Sequence, residues 1–164
     1  MSVNHVAVTV TDIKYAMNWY RDILGMEVLA EPTEISTDSK RTDPHLAAIA
    51  SAIFGPKLGS FLICHMRSQN GVGIELFQFL EPHSEISKDN FEFWKTGVFH
   101  VAFTEPKIGE LAKKIASNGG KKRTDILELV PGSGKMICFC EDPFGNVIEL
   151  YSHSYEQFWA GKIK

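Results

Sequence analysis

The sequence predicts an α+β protein built from two tandem βαβββ modules that form a curved sheet around a cleft. Two repeats carry this prediction. The hexapeptides NHVAVT (4–9) and FHVAFT (99–104) share a histidine ninety-five residues apart, and IELF (74–77) returns as IELY (148–151). The chain is therefore an internal duplication, in which the first copy is 21 residues longer between its repeated histidine and its repeated glutamate.

Each repeated hexapeptide is followed by an apolar stripe at helical spacing and then by glycine. The stripes consist of Ile13, Met17, Tyr20 and Leu24 in the first copy, and of Ile108, Leu111, Ala112 and Ile115 in the second. Gly25 and Gly119–Gly120 follow them, as is typical of helix ends. We therefore expect one amphipathic helix in each copy, packed on one face of that copy's strands.

The rest of each copy is predicted to form β-strands. In the first copy SFLICHMR (60–67) and GVGIELFQFL (71–80) are rich in β-branched and aromatic residues and are joined by a hairpin turn. In the second copy KMICFCE (135–141) and NVIELYSH (146–153) flank a turn that contains Pro and Gly. KKRTDILELV (121–130) is predicted to add one further strand.

The repeats also set the predicted domain boundaries. Residues 1–80 form the first module with an insertion at about 31–57, 81–97 form a linker, 98–153 form the second module, and 154–164 form a C-terminal tail. We expect one compact structural unit. The insertion contains a short apolar helix, which either caps the end of the sheet, lines a substrate pocket or makes a dimer contact.

Composition narrows the classes of function. The chain has 164 residues, of which 44% are apolar, and a net charge of −3, so it can bury a sizeable core and a nucleic-acid partner is not expected. No apolar run is long enough to span a bilayer, and the N-terminus does not read as a secretion signal. An odd count of three cysteines without disulfide-type spacing predicts a reducing, cytoplasmic location.

Four ionisable residues recur at matching places in the two copies: His5, Glu75, His100 and Glu149. Apolar neighbours flank both glutamates, so alternation along a strand directs the carboxylates away from the helix and toward the cleft. Taken singly, such a histidine is usually a core residue and such a glutamate is often solvated. Their recurrence in both copies favours a metal-binding cleft that holds one divalent ion, of Ni, Zn, Co, Mn or Fe.

Other candidate ligands are weaker. Cys138 and Cys140 share a strand face, but a free cysteine is most often a small core hydrophobe. His45 is interpreted as a surface or capping residue. Arg67, Lys121, Lys122 and Arg123 could bind an acidic substrate tail, although such charges are more often simply solvated.

Three segments, NHVAVTVTDIKYAMNWYRDILGMEV, FHVAF and FCEDPFGNVIELY, resemble the vicinal oxygen chelate superfamily. This superfamily includes glyoxalase I, methylmalonyl-CoA epimerase, extradiol dioxygenases and bleomycin- or fosfomycin-resistance proteins, and the resemblance covers nearly the whole chain. It implies paired βαβββ modules whose strand residues, matching the four named above, hold the metal. It also implies a small-molecule substrate and a homodimer.

The four-ligand set favours the isomerising branch of this superfamily. Extradiol dioxygenases typically bind their metal with two histidines and one carboxylate, which leaves three positions open on an octahedral ion. A fourth ligand at Glu75 leaves only two positions, which suits a substrate with vicinal oxygens. A lyase or isomerase of the glyoxalase type then moves a proton beside a bound oxygen, with Glu75 and Glu149 as candidate bases. Glyoxalase I typically has an arginine where this chain has Thr9, so glutathione use does not follow. The alternatives are an acyl-CoA epimerase, an extradiol-type dioxygenase and a non-catalytic drug-binding protein.

Overall fold

The computed structural model describes residues 1–88 and 91–160, and the chain divides into two units, Met1–Ile86 and Ser87–Lys164. Each unit has its own sheet, and helices pack on it, so the predicted α+β class is confirmed. Residues 89–90 of the predicted linker and residues 161–164 of the predicted tail lie outside the described residues. Among the helices that the structure describes, none has the length and apolar character needed to cross a membrane.

The first unit contains two helices and a four-stranded sheet within residues 1–88. In chain order its elements are β1 (His5–Thr9), α1 (Ile13–Leu24), β2 (Glu27–Ser36), α2 (Pro44–Phe54), β3 (Ser60–Arg67) and β4 (Gly73–Glu81). The strands lie in the order β1-β4-β3-β2, with β1 parallel to β4 and the other pairs antiparallel. Strand β4 therefore has a neighbour on both sides.

Helix α1 forms because its apolar residues fall on one side and its ends are capped. Asp12 accepts a hydrogen bond from the backbone N–H of Tyr15 at the start of the helix. Gly25 takes a left-handed conformation with φ of 70° at the end, as the sequence predicts. The buried side of α1 packs against β3 and β4, where it covers Ile74 and Leu76.

Helix α2 comes from the predicted insertion and packs on the opposite face of the same sheet. The Phe54 ring lies 6.1 Å from the Phe77 ring and 5.4 Å from the Phe79 ring, measured between centroids. Phe77 and Phe79 alternate with the residues that α1 covers, so they point away from α1. Glu75 occupies the same face as these two phenylalanines. The insertion therefore builds an apolar surface beside Glu75, rather than only capping the end of the sheet.

The second unit repeats this plan with shorter elements. They are β5 (Val101–Thr104), α3 (Ile108–Ser117), β6 (Lys121–Lys122), β7 (Leu127–Glu128), β8 (Met136–Glu141), β9 (Val147–Tyr151) and α4 (Tyr155–Trp159). Strand β5 is parallel to β9, β9 is antiparallel to β8, and both β6 and β7 pair with β8. Helix α3 packs against β8 and β9.

Two details of the second unit differ from the sequence-based prediction. The single strand predicted over 121–130 is two short strands, because Arg123 and Thr124 depart from the ladder and both bond the Phe139 carbonyl. The predicted tail contains α4, whose Phe158 is fully buried against Tyr151 with ring centroids 4.6 Å apart. A capping box at Ser154 begins this helix.

Candidate functional site

In the first unit, His5 and Glu75 lie on adjacent strands and face each other. The Nε2 atom of His5 is 3.4 Å from Oε2 of Glu75. Glu75 is half-buried between Ile74 and Leu76, whose side chains are buried on the other face of β4, so the predicted alternation is confirmed. A β-carbon on Gly73 would lie 2.9 Å from Cβ of His5, so only glycine leaves room for the histidine here.

The ring of His5 is oriented by its neighbour in sequence. Its Nδ1 lies 2.8 Å from Oδ1 of Asn4. An amide oxygen can only accept a hydrogen bond, so the proton of a neutral His5 ring sits on Nδ1 and Nε2 keeps its lone pair. That lone pair and a carboxylate oxygen of Glu75 then face each other, an arrangement that a cation between them stabilises.

A second histidine contacts the same carboxylate. His65 on β3 is the in-register partner of Glu75, and its Nδ1 is 3.4 Å from Oε1 of Glu75. The two oxygens of Glu75 are thus divided between His65 on one side and His5 on the other. Sequence reasoning did not single out His65.

In the second unit, His100 and Glu149 form the corresponding pair. The Nε2 atom of His100 lies 3.1 Å from Oε2 of Glu149. The sequence predicts His100 within the first strand of its copy, but β5 begins at Val101 and His100 immediately precedes it. The parallel ladder of this copy begins at Val101 opposite Ile148, whereas in the first copy His5 itself pairs with Gly73. The residue before Ile148 is Val147, which carries the β-carbon that glycine lacks.

The His100–Glu149 pair is less exposed to solvent than the His5–Glu75 pair. The side chain of Glu149 is 8% exposed, against 22% for Glu75. Burial raises the pKa of Glu149, and a hydrogen bond with the Tyr151 side chain partly opposes this shift. Burial also lowers the pKa of His100, whose ring lies among aromatic rings such as that of Phe139, 5.6 Å away. Each shift favours the neutral form of its group.

One ring nitrogen in this second pair has no protein partner. Nδ1 of His100 is buried and makes no hydrogen bond with any residue in the described ranges. Phe99 precedes His100 where Asn4 precedes His5, so the side-chain oxygen that orients the first histidine is missing from the second copy. Such an orphaned nitrogen is costly when buried and is available to an added group.

The donor chemistry of both pairs fits a divalent metal ion. Imidazole nitrogen and carboxylate oxygen bind such ions at about 2.0–2.2 Å, which places neighbouring ligand atoms about 3.0–3.5 Å apart. The separations of 3.4 and 3.1 Å lie in this range. Within residues 1–88 and 91–160, however, no group of three or more His, Cys, Asp or Glu side chains is arranged to hold a metal ion. Each unit thus contributes one pair of suitable donors.

The cysteines lie in the core, and most of the basic residues considered above have acidic partners. Cys138 and Cys140 are fully buried with their sulfur atoms 4.0 Å apart, and they behave as small core residues. Three of the four basic residues considered as anchors for an acidic tail are in ion pairs: Arg67 with Glu27, Lys122 with Asp125, and Arg123 with Glu141. Thr9, where glyoxalase I typically has an arginine, lies on the same strand face as His5.

Fold and site together define a protein of two tandem βαβββ-type units, each with a His–Glu pair that includes a glutamate of its sheet. Residues 2–150 match the family described as the Glyoxalase/Bleomycin resistance protein/Dioxygenase superfamily. The chain belongs to this superfamily, so the resemblance inferred from the sequence is confirmed. No curated protein sequence matched the chain.

Solved structures show the same fold. A glyoxalase family protein from Bacillus cereus is 17% identical, with a TM-score of 0.71 over 92% of this chain and 93% of that chain. A glyoxylase/bleomycin resistance protein/dioxygenase domain from Frankia is 20% identical, with a TM-score of 0.60 over 94% and 98%. Glyoxalase I from Zea mays is 21% identical, with a TM-score of 0.61 over 93% of this chain and 44% of that chain. This chain therefore spans less than half of the maize protein, and at these identities the likeness shows the fold alone.

Proposed function

We propose that the protein is a divalent-metal-dependent lyase or isomerase of the glyoxalase type, which moves a proton beside an oxygen of a small vicinal-oxygen substrate. The observation that carries this proposal is the repetition of a His–Glu pair at ligand spacing in both units. Membership of a superfamily that includes such enzymes supports it. We further propose that His5, Glu75, His100 and Glu149 are the protein ligands of one ion per chain.

The metal would polarise the substrate oxygen as a Lewis acid and so acidify the adjacent C–H group. His5 and His100 would bind through Nε2, the nitrogen that faces a carboxylate in each pair. The hydrogen bond from His5 to Asn4 fixes the ring in the orientation that this role needs.

One of the two carboxylates would accept the substrate proton, and the contacts favour Glu149. Glu75 lies between two imidazoles, 3.4 Å from each, and is more exposed than Glu149. The Glu149 side chain is almost completely buried, and its carboxyl group has the Tyr151 side chain as a hydrogen-bond partner. A carboxylate that is shielded from water has less hydration free energy to lose when it takes up a proton and becomes neutral. We therefore assign Glu75 mainly to metal binding and Glu149 mainly to proton transfer.

Metal titration tests the site. Protein stripped with a chelator should rebind about one Ni²⁺, Co²⁺, Mn²⁺ or Zn²⁺ per chain in a calorimeter, and His5→Ala and Glu149→Ala should weaken binding at unchanged thermal stability. The matched controls are His45→Ala on α2 and Glu110→Gln, whose side chain is 76% exposed on α3. A wild-type chain that rebinds none of these ions would refute the site.

Proton exchange tests the reaction. Metal-loaded protein in deuterium oxide should exchange the α-hydrogen of a hydroxy-ketone, a hemithioacetal or an acyl thioester, followed by NMR. Glutamine ligates through oxygen but accepts no proton at neutral pH, so Glu149→Gln should reduce exchange more than metal affinity, and Glu75→Gln the reverse. If a catechol is cleaved under oxygen with Fe²⁺ and no substrate exchanges its α-hydrogen, the lyase or isomerase hypothesis is refuted and the dioxygenase branch takes its place.

The predicted cytoplasmic location belongs to the same proposal and rests on the unpaired cysteines. Cell fractionation of the tagged protein would test it, and recovery from an oxidising compartment would contradict it.

A further inference from the structure

His65 occupies a place beside Glu75 that the duplication does not explain. Strand β4 lies between β1 and β3, and Glu75 contacts an imidazole on each of these neighbours. In the second unit the in-register partner of Glu149 is Phe139. The repeat therefore provides one imidazole for each glutamate, and the second imidazole is particular to Glu75.

The two contacts on Glu75 use different atoms. His65 Nδ1 approaches Oε1, whereas His5 Nε2 approaches Oε2, both at 3.4 Å. With an imidazole nitrogen 3.4 Å from each oxygen, the carboxylate is oriented so that Oε1 faces His65 and Oε2 faces His5. The side chain of His65 is 44% exposed, so burial among apolar neighbours does not account for its presence on this strand.

We propose that His65 is a positioning residue for Glu75: its Nδ1 holds Oε1 and thereby presents Oε2 toward His5 for metal binding. The inference rests on the proposed metal site and deepens it, because it assigns the two oxygens of one ligand to different tasks. Partners that orient ligand side chains typically change metal affinity by about 10–100-fold when they are removed.

Substitutions at position 65 test this role. His65→Phe reproduces the residue that faces Glu149 and keeps a planar ring without the nitrogen. Together with His65→Ala it should weaken metal binding by about 10–100-fold in a chelator-competition titration. His65→Asn should restore affinity to within about threefold of wild type, because its side-chain N–H₂ can take the place of Nδ1 as a donor. His45→Ala is the matched control, and thermal melts verify that each variant folds.

A double-mutant cycle shows whether the effect passes through Glu75. With Glu75→Ala as background, removal of the His65 imidazole should cause no further loss of metal affinity, whereas with His5→Ala as background the loss should persist. A loss that persists without Glu75 would make His65 a ligand in its own right and overturn the positioning role. Wild-type affinity in both His65→Ala and His65→Phe would overturn it as well.

The same experiments separate this inference from the proposed function. A wild-type chain that binds no ion refutes both. A wild-type chain that binds metal, with variants at position 65 that bind it equally well, refutes the role of His65 alone. The imidazole ¹⁵N shifts of His65, recorded without metal in wild type and in Glu75→Gln, give an independent readout. Identical shifts in the two proteins would show that the contact does not exist and would also overturn the inference.

Discussion

Replacing Phe61 with alanine should detach α2 from the sheet face that carries Glu75. Phe61 is 5% exposed, and its ring centroid lies 5.4, 5.3 and 5.8 Å from those of Phe54, Phe77 and Phe79. Removing a buried phenylalanine side chain costs about 3–5 kcal/mol, and three ring contacts at once place this site in the upper half of that range. We expect the free energy of unfolding of the first unit to fall by about 4 kcal/mol.

The assay can be confined to the first unit. The chain has three tryptophans, of which Trp19 is 3% exposed on α1, while Trp94 and Trp159 are 66% and 39% exposed. In a Trp94→Phe, Trp159→Phe background, fluorescence therefore reports the unfolding of the first unit through Trp19. With an m-value of about 1.5 kcal/mol/M in urea, the loss corresponds to a midpoint lowered by about 2–3 M.

Two further variants keep the result interpretable. Phe93→Ala, at a side chain that is 60% exposed, should change stability by less than about 0.5 kcal/mol. Should Phe61→Ala not fold, Phe61→Leu should still fold and lose about 1–2 kcal/mol. A loss below about 1 kcal/mol in a folded Phe61→Ala protein would refute the conclusion that this cluster holds α2 on the sheet.

Three other predictions concern Gly73, the Cys64 thiol and the oligomeric state. Gly73→Ala should displace the His5 side chain, because the new β-carbon would lie 2.9 Å from Cβ of His5. A calorimetric titration should then show metal affinity reduced about tenfold or more. Unchanged affinity would mean that His5 is not a ligand. Burial raises the pKa of the Cys64 thiol to about 11, so a thiol reagent at pH 8 should label Cys64 only after unfolding. Because the pKa is higher in the folded than in the unfolded state, the free energy of unfolding should fall as the pH rises above about 9. Rapid labelling of Cys64 in the native chain would contradict this prediction. The homodimer predicted from the family resemblance should appear in light scattering at micromolar concentration, and a monomer there would remove it.

The sequence predicted the parts of the site that depend only on local alternation. Ile74 and Leu76 fix which face of their strand is buried, and so place Glu75 on the other face. The same reasoning places Glu149 opposite Ile148 and Leu150, as the structure has it. These assignments need no knowledge of which strands pair, so one sequence was enough.

His65 was missed because its contact depends on strand register. The Asn70–Gly71 pair by itself indicates a two-residue hairpin turn, which would set Met66 opposite Glu75. The real connection is longer: Ser68 and Val72 close the loop, Arg67 pairs with Gly73, and the register moves by one residue. A one-residue shift turns every side chain to the other face, and it is this shift that brings His65 to Glu75.

The C-terminal helix was missed for a different reason. Its five residues are too few to show a helical period, and a helix this short is not stable alone. The contact of Phe158 with the sheet stabilises it, together with the bond from the Lys135 ammonium to the Phe158 carbonyl. Tertiary contacts of this kind leave no pattern in a short segment. The Ser-x-x-Gln sequence of the capping box was the one local signal available.

The two copies share a backbone plan but differ at the positions that surround each glutamate. Beside Glu75 the partners are polar, with His65 across the strand and Asn4 behind His5. Beside Glu149 the corresponding places hold Phe139 and Phe99. A duplication begins with identical halves, so these differences arose after it. They give the two carboxylates surroundings of different polarity. Polar contacts suit a carboxylate that stays fixed, and enclosure suits one that changes its proton. Each difference sits next to a glutamate, and the alternation that places the glutamates is kept. The two halves therefore retain one backbone plan, and under the proposed function they would divide the chemistry between them.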